Sequence, residues 1–398
     1  MDIKTLSDIC NYRKETLPSN KCDRMTFIST ENMLPNKAGV VISAKCPTSG
    51  NVSKYYPGDV LVSNIRPYFK KIYLADKEGT CSNDVLVFFP KREVCTSDFL
   101  FCLLSTDAFF AHATKTAKGT KMPRGDRSAI MGYQINWVPI NEQSGISEPI
   151  LNVYRKIKLN EKINDNLQKQ ARSLFNEFFI HSPEGEATLK TELGLFPSNF
   201  SVIKTGDLPT LITDYVANGS FASLKENVQL YQERNYAYFI RNTDLKSGTF
   251  NVFVDEHSYH FLAKSKLFGG EIIVSNVGDV GSVFLCPKLD APMTLGNNII
   301  MIKPLQEELR YYLYIWFKWS LGQNLIQSIK GGSAQPKFNK TDFKSLPIVL
   351  PSKDILEKFH TLVRPIFEAI EQNQAESRTL TRLRDALLQN MPSFGTNA

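Results

Sequence analysis

Short apolar runs separated by turn residues occupy two long stretches of the chain. Val60-Leu61-Val62 follows the turn-rich Tyr55-Tyr56-Pro57-Gly58-Asp59, and Val85-Leu86-Val87-Phe88-Phe89 is closed by Pro90. Such runs predict strands of a β-rich domain. A helical pattern over residues 99–115 then ends in a basic loop at Gly119, and a second over 311–329 ends at Gly331-Gly332. An extended segment closes each stretch, Trp137-Val138-Pro139-Ile140 in one and Leu346-Pro347-Ile348-Val349-Leu350-Pro351 in the other. Beyond each, apolar residues recur at alternating spacings of four and three, from Ile146, Ile150, Val153 and Ile157 on to Phe178, and from Ile355, Phe359, Leu362 and Ile366 on to Leu387. A 3.5-residue period held this long predicts two helices packed as a coiled coil. Both seams turn polar near the middle, at Asn160 and Asn164 and at Asn373 and Glu376. An antiparallel pairing sets mid-helix against mid-helix, and these polar positions would then fix the register. Pro365 interrupts the second pattern and predicts a kink near Val363-Arg364.

The two stretches are copies of one another. Gly58-Asp59-Val60-Leu61-Val62-Ser63-Asn64-Ile65 returns 212 positions later as Gly270-Glu271-Ile272-Ile273-Val274-Ser275-Asn276-Val277. Asn83-Asp84-Val85-Leu86 matches Asn297-Asn298-Ile299-Ile300, and Gly119, Pro123 and Arg124 match Gly332, Pro336 and Lys337. A period this long repeats a whole domain with its connector rather than a solenoid unit. The expected architecture is α+β with pseudo-twofold duplication: a first β-rich domain over 1–142, a helix over 143–180, a polar linker over 181–199, a second domain over 200–351 and a last helix over 352–391. Two similar domains on one chain suit a target that is itself in two parts.

Composition narrows the class. With 398 residues, 42% of them hydrophobic, the chain can bury proper cores. No apolar run reaches the ~20 residues of a membrane span and the opening Met1-Asp2-Ile3-Lys4 is no signal peptide, so a cytoplasmic protein without a membrane partner is expected. The seven cysteines include no CxxC pair and six lie in the first copy. A disulfide framework or zinc site would have duplicated with the domain, so reduced, mostly buried thiols are expected. Net charge is +7, but its distribution matters more. Lys115, Lys118, Lys121, Arg124 and Arg127 crowd one loop against Asp126 alone, and Lys330, Lys337, Lys340 and Lys344 face only Asp342 at the same place in the second copy.

Cations in a glycine-containing loop can neutralise phosphates while backbone N–H groups approach the phosphate oxygens. Arg66, Tyr68, Lys70 and Lys71 form a second candidate strip in which cations interleave with an aromatic. Catalytic signals are missing. The chain has no Pro-Pro step, needed in the Asn-Pro-Pro-aromatic turn that grips a flipped adenine, and no Gly-Lys step, needed in a phosphate loop. His257 and His260 are a close pair without a third ligand at matching spacing, and Asp59 and Glu271 suit a turn role after glycine better than acid–base work. No catalytic residue, metal or cofactor is expected. A pure protein-interaction scaffold with incidental basic loops is the alternative, and salt-sensitive DNA binding separates the two.

The order of domain, helix, domain, helix resembles the specificity subunits of bacterial type I restriction-modification systems. The resemblance spans essentially the whole chain and rests on Ile28-Ser29-Thr30-Glu31-Asn32-Met33, Gly58-Asp59-Val60-Leu61-Val62-Ser63-Asn64-Ile65-Arg66-Pro67-Tyr68-Phe69, Gly332-Ser333-Ala334-Gln335-Pro336-Lys337-Phe338-Asn339 and Leu383-Arg384-Asp385-Ala386-Leu387-Leu388. It implies two target recognition domains, each reading one half of a bipartite site in double-stranded DNA, held apart by two antiparallel helices. It also implies that two methyltransferase (modification) subunits dock on those helices and that motor-nuclease (restriction) subunits complete the complex. The copies part company where Arg66-Pro67 becomes Gly278-Asp279, so base contacts do not transfer from one domain to the other.

Overall fold

The computed structural model describes residues 2–180, 188–332 and 335–391, and the chain divides into two compact units. One comprises residues 1–159 with 379–398, the other residues 160–378. Both are α+β.

In the first unit the opening strand Ile3–Thr5 pairs antiparallel with Gln134–Asn136 at the end of the domain. Between them lies an antiparallel sheet ordered Cys10–Tyr12, Val85–Pro90, Val60–Ser63, Ile72–Leu74. A second sheet, ordered Thr16–Pro18, Asn51–Tyr55, Gly79–Cys81, Phe27–Ile28, covers its other side. This explains why the central strands are continuously apolar. Val60, Val62, Leu86 and Phe88 enter a core with Phe99, Leu103 and Phe110, while Leu61, Val85 and Val87 enter another with Ile28, Met33 and Tyr55. A strand buried on both faces has no polar side to show.

The second unit repeats the plan. Ser201–Lys204 pairs with Pro347–Leu350, and a sheet runs Thr210–Asp214, Ile299–Pro304, Ile272–Ser275, Val283–Leu285. Ile272, Val274, Ile300 and Ile302 face one core, and Ile273, Ile299 and Met301 face another with Tyr238 and Phe253. Here the accessory sheet has five strands, Leu230–Tyr231, Phe253–Val254, Ala237–Ile240, Met293–Leu295 and Lys266–Leu267. A hairpin of Thr188–Thr191 and Gly194–Pro197 occupies part of the stretch read as linker, of which residues 181–187 lie outside the described residues.

Three sequence expectations change. The helix expected over 99–115 is two, Ser97–Leu104 and Asp107–Lys115, because the Ser105 hydroxyl turns back to the Phe101 carbonyl and the Thr106 hydroxyl accepts the Phe109 N–H as a new N-cap. Likewise 311–329 becomes Leu309–Lys318 and Ser320–Ser328, parted at Trp319, whose backbone is extended. Cys22 and Cys46 are joined in a disulfide rather than reduced. The other five thiols are free and buried, and burial pushes those of Cys81 and Cys95 up to about 12, far from thiolate reactivity.

The long helices are Ile140–Phe179 and Lys353–Gln389, the latter unbroken through Pro365 and the former containing Pro149. Within the second unit the Asn160 side-chain amide, fully buried, donates to Glu376 Oε2 (2.7 Å) and to the Ser377 hydroxyl (3.2 Å). Asn373 donates to Asn164 Oδ1 at 2.9 Å. Further along, Phe178 and Phe179 pack on Phe359, with ring centroids 5.8 and 4.8 Å apart. Within the first unit the Arg384 guanidinium sits 5.1 Å from the Tyr154 ring, and Ile150 and Leu151 share a core with Leu388 and Met391. Phe179 also meets Phe200 and Tyr312 and is almost wholly buried. Phe179→Ala should therefore cost the second unit about 3–5 kcal/mol, read as a lowered urea midpoint for its unfolding step, whereas an unchanged midpoint would mean that this aromatic cluster is not holding the helices to the domain.

Candidate nucleic-acid interface

The central strand of each domain runs into a turn, and the basic loop folds against that turn. In the first domain Asn64 N–H donates to the Asp84 carbonyl (2.8 Å), Arg66 N–H to the Pro123 carbonyl (2.8 Å) and Gly125 N–H to the Asn64 carbonyl (3.1 Å). The basic loop closes on itself through reciprocal Lys118–Arg124 backbone bonds, both 2.8 Å, with Gly119 at φ +99° making the return that an L side chain resists. The second domain repeats this bond for bond. Gly278 N–H donates to the Pro336 carbonyl (2.9 Å), Phe338 N–H to the Asn276 carbonyl (3.0 Å), and Gly331 and Lys337 exchange bonds of 2.8 and 2.9 Å beside Gly332 at φ +86°. Of the motif that carried the resemblance there, Ser333 and Ala334 lie outside the described residues.

This zippering brings the two candidate strips of the first domain together. Arg66, Tyr68, Lys115, Lys118, Lys121, Arg124 and Arg127 are all exposed. Lys118 reaches Asp126 (2.5 Å) and Arg124 reaches Asp84 (3.1 Å), while Arg127 donates to the Asn83 carbonyl (3.4 Å). Arg66, Lys115 and Lys121 have no acidic partner among the described residues. Lys70 and Lys71 behave differently. Lys70 pairs with Asp107 at 2.9 Å, and the half-buried Lys71 ammonium donates to the Thr30 carbonyl at 2.6 Å, burial holding its pKa below the usual lysine value. In the second domain Lys330, Lys337 and Lys344 are exposed, whereas Lys340 pairs with Asp214 at 2.9 Å.

Other residues matter that sequence reasoning passed over. Lys37, 5% exposed, places its ammonium 3.1 Å from Asp107 and 3.3 Å from Asp385 beneath the Arg66–Lys70 turn. Asp279, which stands where the first domain has Pro67, is held by Lys246 (2.7 Å) and Ser282 (2.6 Å). The carboxylates considered for acid–base work are turn clamps. Asp59 accepts both Arg13 guanidinium bonds at 2.7 Å and the Tyr56 N–H, and Glu271 accepts the Phe268 and Gly269 N–H groups. His257 lies 3.3 Å from Asn227 Oδ1 and His260 3.8 Å from Glu256, and no cluster of three metal-ligating side chains occurs among the described residues.

Two exposed basic loops, locked by the same bonds to the same turn in duplicated domains, define a protein that presents charge twice. The model of the type I restriction modification DNA specificity domain matches residues 1–169 and again 197–377, and the chain belongs to that family. It is similar to the type I restriction enzyme MjaIX specificity subunit of Methanocaldococcus jannaschii, 25% identical over 84% of this chain and 77% of that one. It is also similar to the HindI specificity subunit of Haemophilus influenzae, 23% identical over 96% and 97%. Among solved structures, the type I restriction-modification S subunit from M. genitalium shares the fold with a TM-score of 0.59, 15% identity, and coverage of 99% and 96%. The chain is thus a specificity subunit, the DNA-recognising and non-catalytic part of a complex with methylase and restriction subunits. No helix among the described residues is long and apolar enough to cross a membrane.

Burial separates two roles among the basic residues, since Lys118 and Arg124 remain exposed in their ion pairs while Lys340 is partly buried in its own. Lys340→Gln strips Asp214 of its partner and should lower the second domain's melting temperature while leaving the salt dependence of DNA binding unchanged. Lys337→Gln should do the reverse, reducing the log–log salt slope by about one with little change in melting. Equal salt slopes in both variants would mean that the two lysines do not differ in role.

Proposed function

We propose that each domain reads one half of a bipartite, asymmetric DNA target, with reading domains at 1–142 and 200–351, a linker at 181–199, and helices at 143–180 and 352–391. The helices pack as an antiparallel coiled coil about a pseudo-twofold axis. They set the spacing between half-sites and dock two methyltransferase subunits, with motor-nuclease subunits joining the full complex in the cytoplasm. The observation that carries this reading is the recurrence of one arrangement in both domains: a turn after the central strand, bonded through Arg66 and Pro123 or through Gly278 and Pro336 to a loop rich in exposed cations.

Phosphate contact falls to Arg66, Lys115, Lys118, Lys121, Arg124 and Arg127 in the first domain and to Lys330, Lys337 and Lys344 in the second. Lys70, Lys71 and Lys340 hold the loops beneath them, and Tyr68 meets the duplex. The register reading is supported by the bonds of Asn160 to Glu376 and of Asn373 to Asn164, which tie polar seam positions to one another. A buried amide with a matched partner penalises any slip by leaving polar groups unpaired.

Neutralising Lys115, Lys118, Lys121, Arg124 and Arg127 together should lower the salt slope of DNA binding by up to about 4.5, at ~0.9 for each phosphate no longer neutralised. A slope equal to that of the unaltered complex would remove this loop from the interface.

The spacer role has its own test. Four residues inserted after Leu167, matched by four near Asn373, lengthen the helices by ~6 Å, close to two base pairs, and keep the apolar face because four residues make about one turn. Methylation sequencing should find both half-sites unchanged and the gap about two base pairs longer. An active assembly with the original gap would show that the helices do not measure it.

A further inference from the structure

The turn after the central strand of the first domain holds two aromatic side chains out in water. Tyr68 is 48% and Phe69 39% exposed, their ring centroids lie 4.7 Å apart, and Met122 on the adjoining basic loop is 48% exposed. Large apolar side chains gathered at one tip call for a covering partner. Their neighbours indicate which: Arg66 and Lys121 are exposed beside them without acidic partners among the described residues, and the Lys71 ammonium lies 5.7 Å from the Phe69 ring centroid. Cations around an apolar tip match a polyanion with an apolar interior, which describes duplex DNA.

The tip is also held stiffly. Arg66 and Lys70 both adopt φ +51° on either side of Pro67-Tyr68-Phe69, and the segment that supports them contributes Asn36 at +55° and Lys37 at +63°. Non-glycine residues persist in that left-handed region only where their surroundings enforce it. Enforcement comes from Asn36 N–H donating to the Phe69 carbonyl (2.9 Å), Lys37 N–H to the Lys70 carbonyl (2.8 Å), and the Lys37 ammonium buried between Asp107 and Asp385. Lys158 completes the support by donating to the Ala38 carbonyl at 2.6 Å. A side chain fixed before contact loses little further freedom on binding. At the corresponding turn of the second domain Gly278-Asp279-Val280-Gly281 takes the place of the tip, without an aromatic, and its one charge is tied to Lys246.

We infer that Tyr68 and Phe69, with Met122 beside them, form a wedge that enters the duplex at the first half-site and unstacks one base step, while the second domain reads its half without a wedge. Apolar side chains inserted between base pairs and flanked by cations unstack and kink DNA in this way, and the site they enter is favoured when its stacking is weak. The inference rests on the proposed DNA contact by this turn and basic loop.

The complex of the full chain with its methyltransferase subunits tests it, on duplexes carrying a single abasic site moved stepwise through both half-sites. The unaltered complex should bind about tenfold tighter when the defect lies at one step of the first half-site. Tyr68→Ala with Phe69→Ala should abolish that gain, Phe69→Leu should keep it, and the second half-site should show no such step. Comparing the complexes step by step cancels any base extrusion by the methyltransferase subunits. Because the tip is exposed, the melting temperature of the double variant should match that of the unaltered chain. Identical defect profiles in the two complexes overturn the wedge, as does a double variant that no longer assembles with the methyltransferase subunits, since the rings would then cover protein. The salt slope separates the two levels: a slope lowered by loop neutralisation with a flat defect profile defeats only the wedge, whereas an unchanged slope defeats the DNA contact beneath it.

Discussion

Each domain depends on the pairing of its first strand with its last. Ile3–Thr5 lies against Gln134–Asn136, and Ser201–Lys204 against Pro347–Leu350, so the two ends of each domain are brought side by side. Closing so long a loop is entropically costly, and the antiparallel ladder together with the core it seals offsets that cost. The consequence is modular. A domain whose chain enters and leaves at one place can vary its interior while the helix that follows at Ile140 or Lys353 keeps its own sequence pattern.

Inside that closure the central strands fix where chemistry can occur. Val60–Ser63 and Ile272–Ser275 are buried throughout, with alternate side chains feeding separate cores, so they present nothing to a partner. Exposed side chains are displaced to the turns at their ends. At one end Asp59 and Glu271 satisfy backbone N–H groups within the turn, and at the other the basic loops attach by main-chain bonds. Attachment through the main chain leaves the side chains free to differ. Arg66-Pro67-Tyr68-Phe69 and Gly278-Asp279-Val280-Gly281 therefore occupy the same frame with opposite chemistry.

Much of this was legible in the sequence because duplication repeats every signal. The strands at 60–62 and 85–89 and the long helices follow from apolar periodicity that a second copy reinforces. The helix break at Trp319 was not legible because an apolar residue stands at the break itself, whereas the break at Thr106 left a signal that was passed over, the polar run Ser105-Thr106-Asp107 typical of a helix N-terminus. The Cys22–Cys46 disulfide escaped for a related reason: it belongs to the first copy alone, and the expectation of reduced thiols assumed that any cross-link would have been copied. Of the candidate cations, those in the basic loops lie exposed on adjoining segments, while Lys70, Lys71 and Lys340 are engaged by Asp107, the Thr30 carbonyl and Asp214. No local pattern announces such partners, since these bonds join residues far apart along the chain. Lys37 shows this most clearly: an isolated lysine in a turn becomes a buried cation through two aspartates on different helices.

The central claim is that the two domains read DNA independently. Exchanging only the first domain for that of the Haemophilus influenzae HindI specificity subunit, and sequencing the sites methylated by the resulting complex, addresses it most directly. The expected result is a target in which one half-site is replaced while the other half-site and the gap between them stay as they were. A target altered in both halves would contradict the claim.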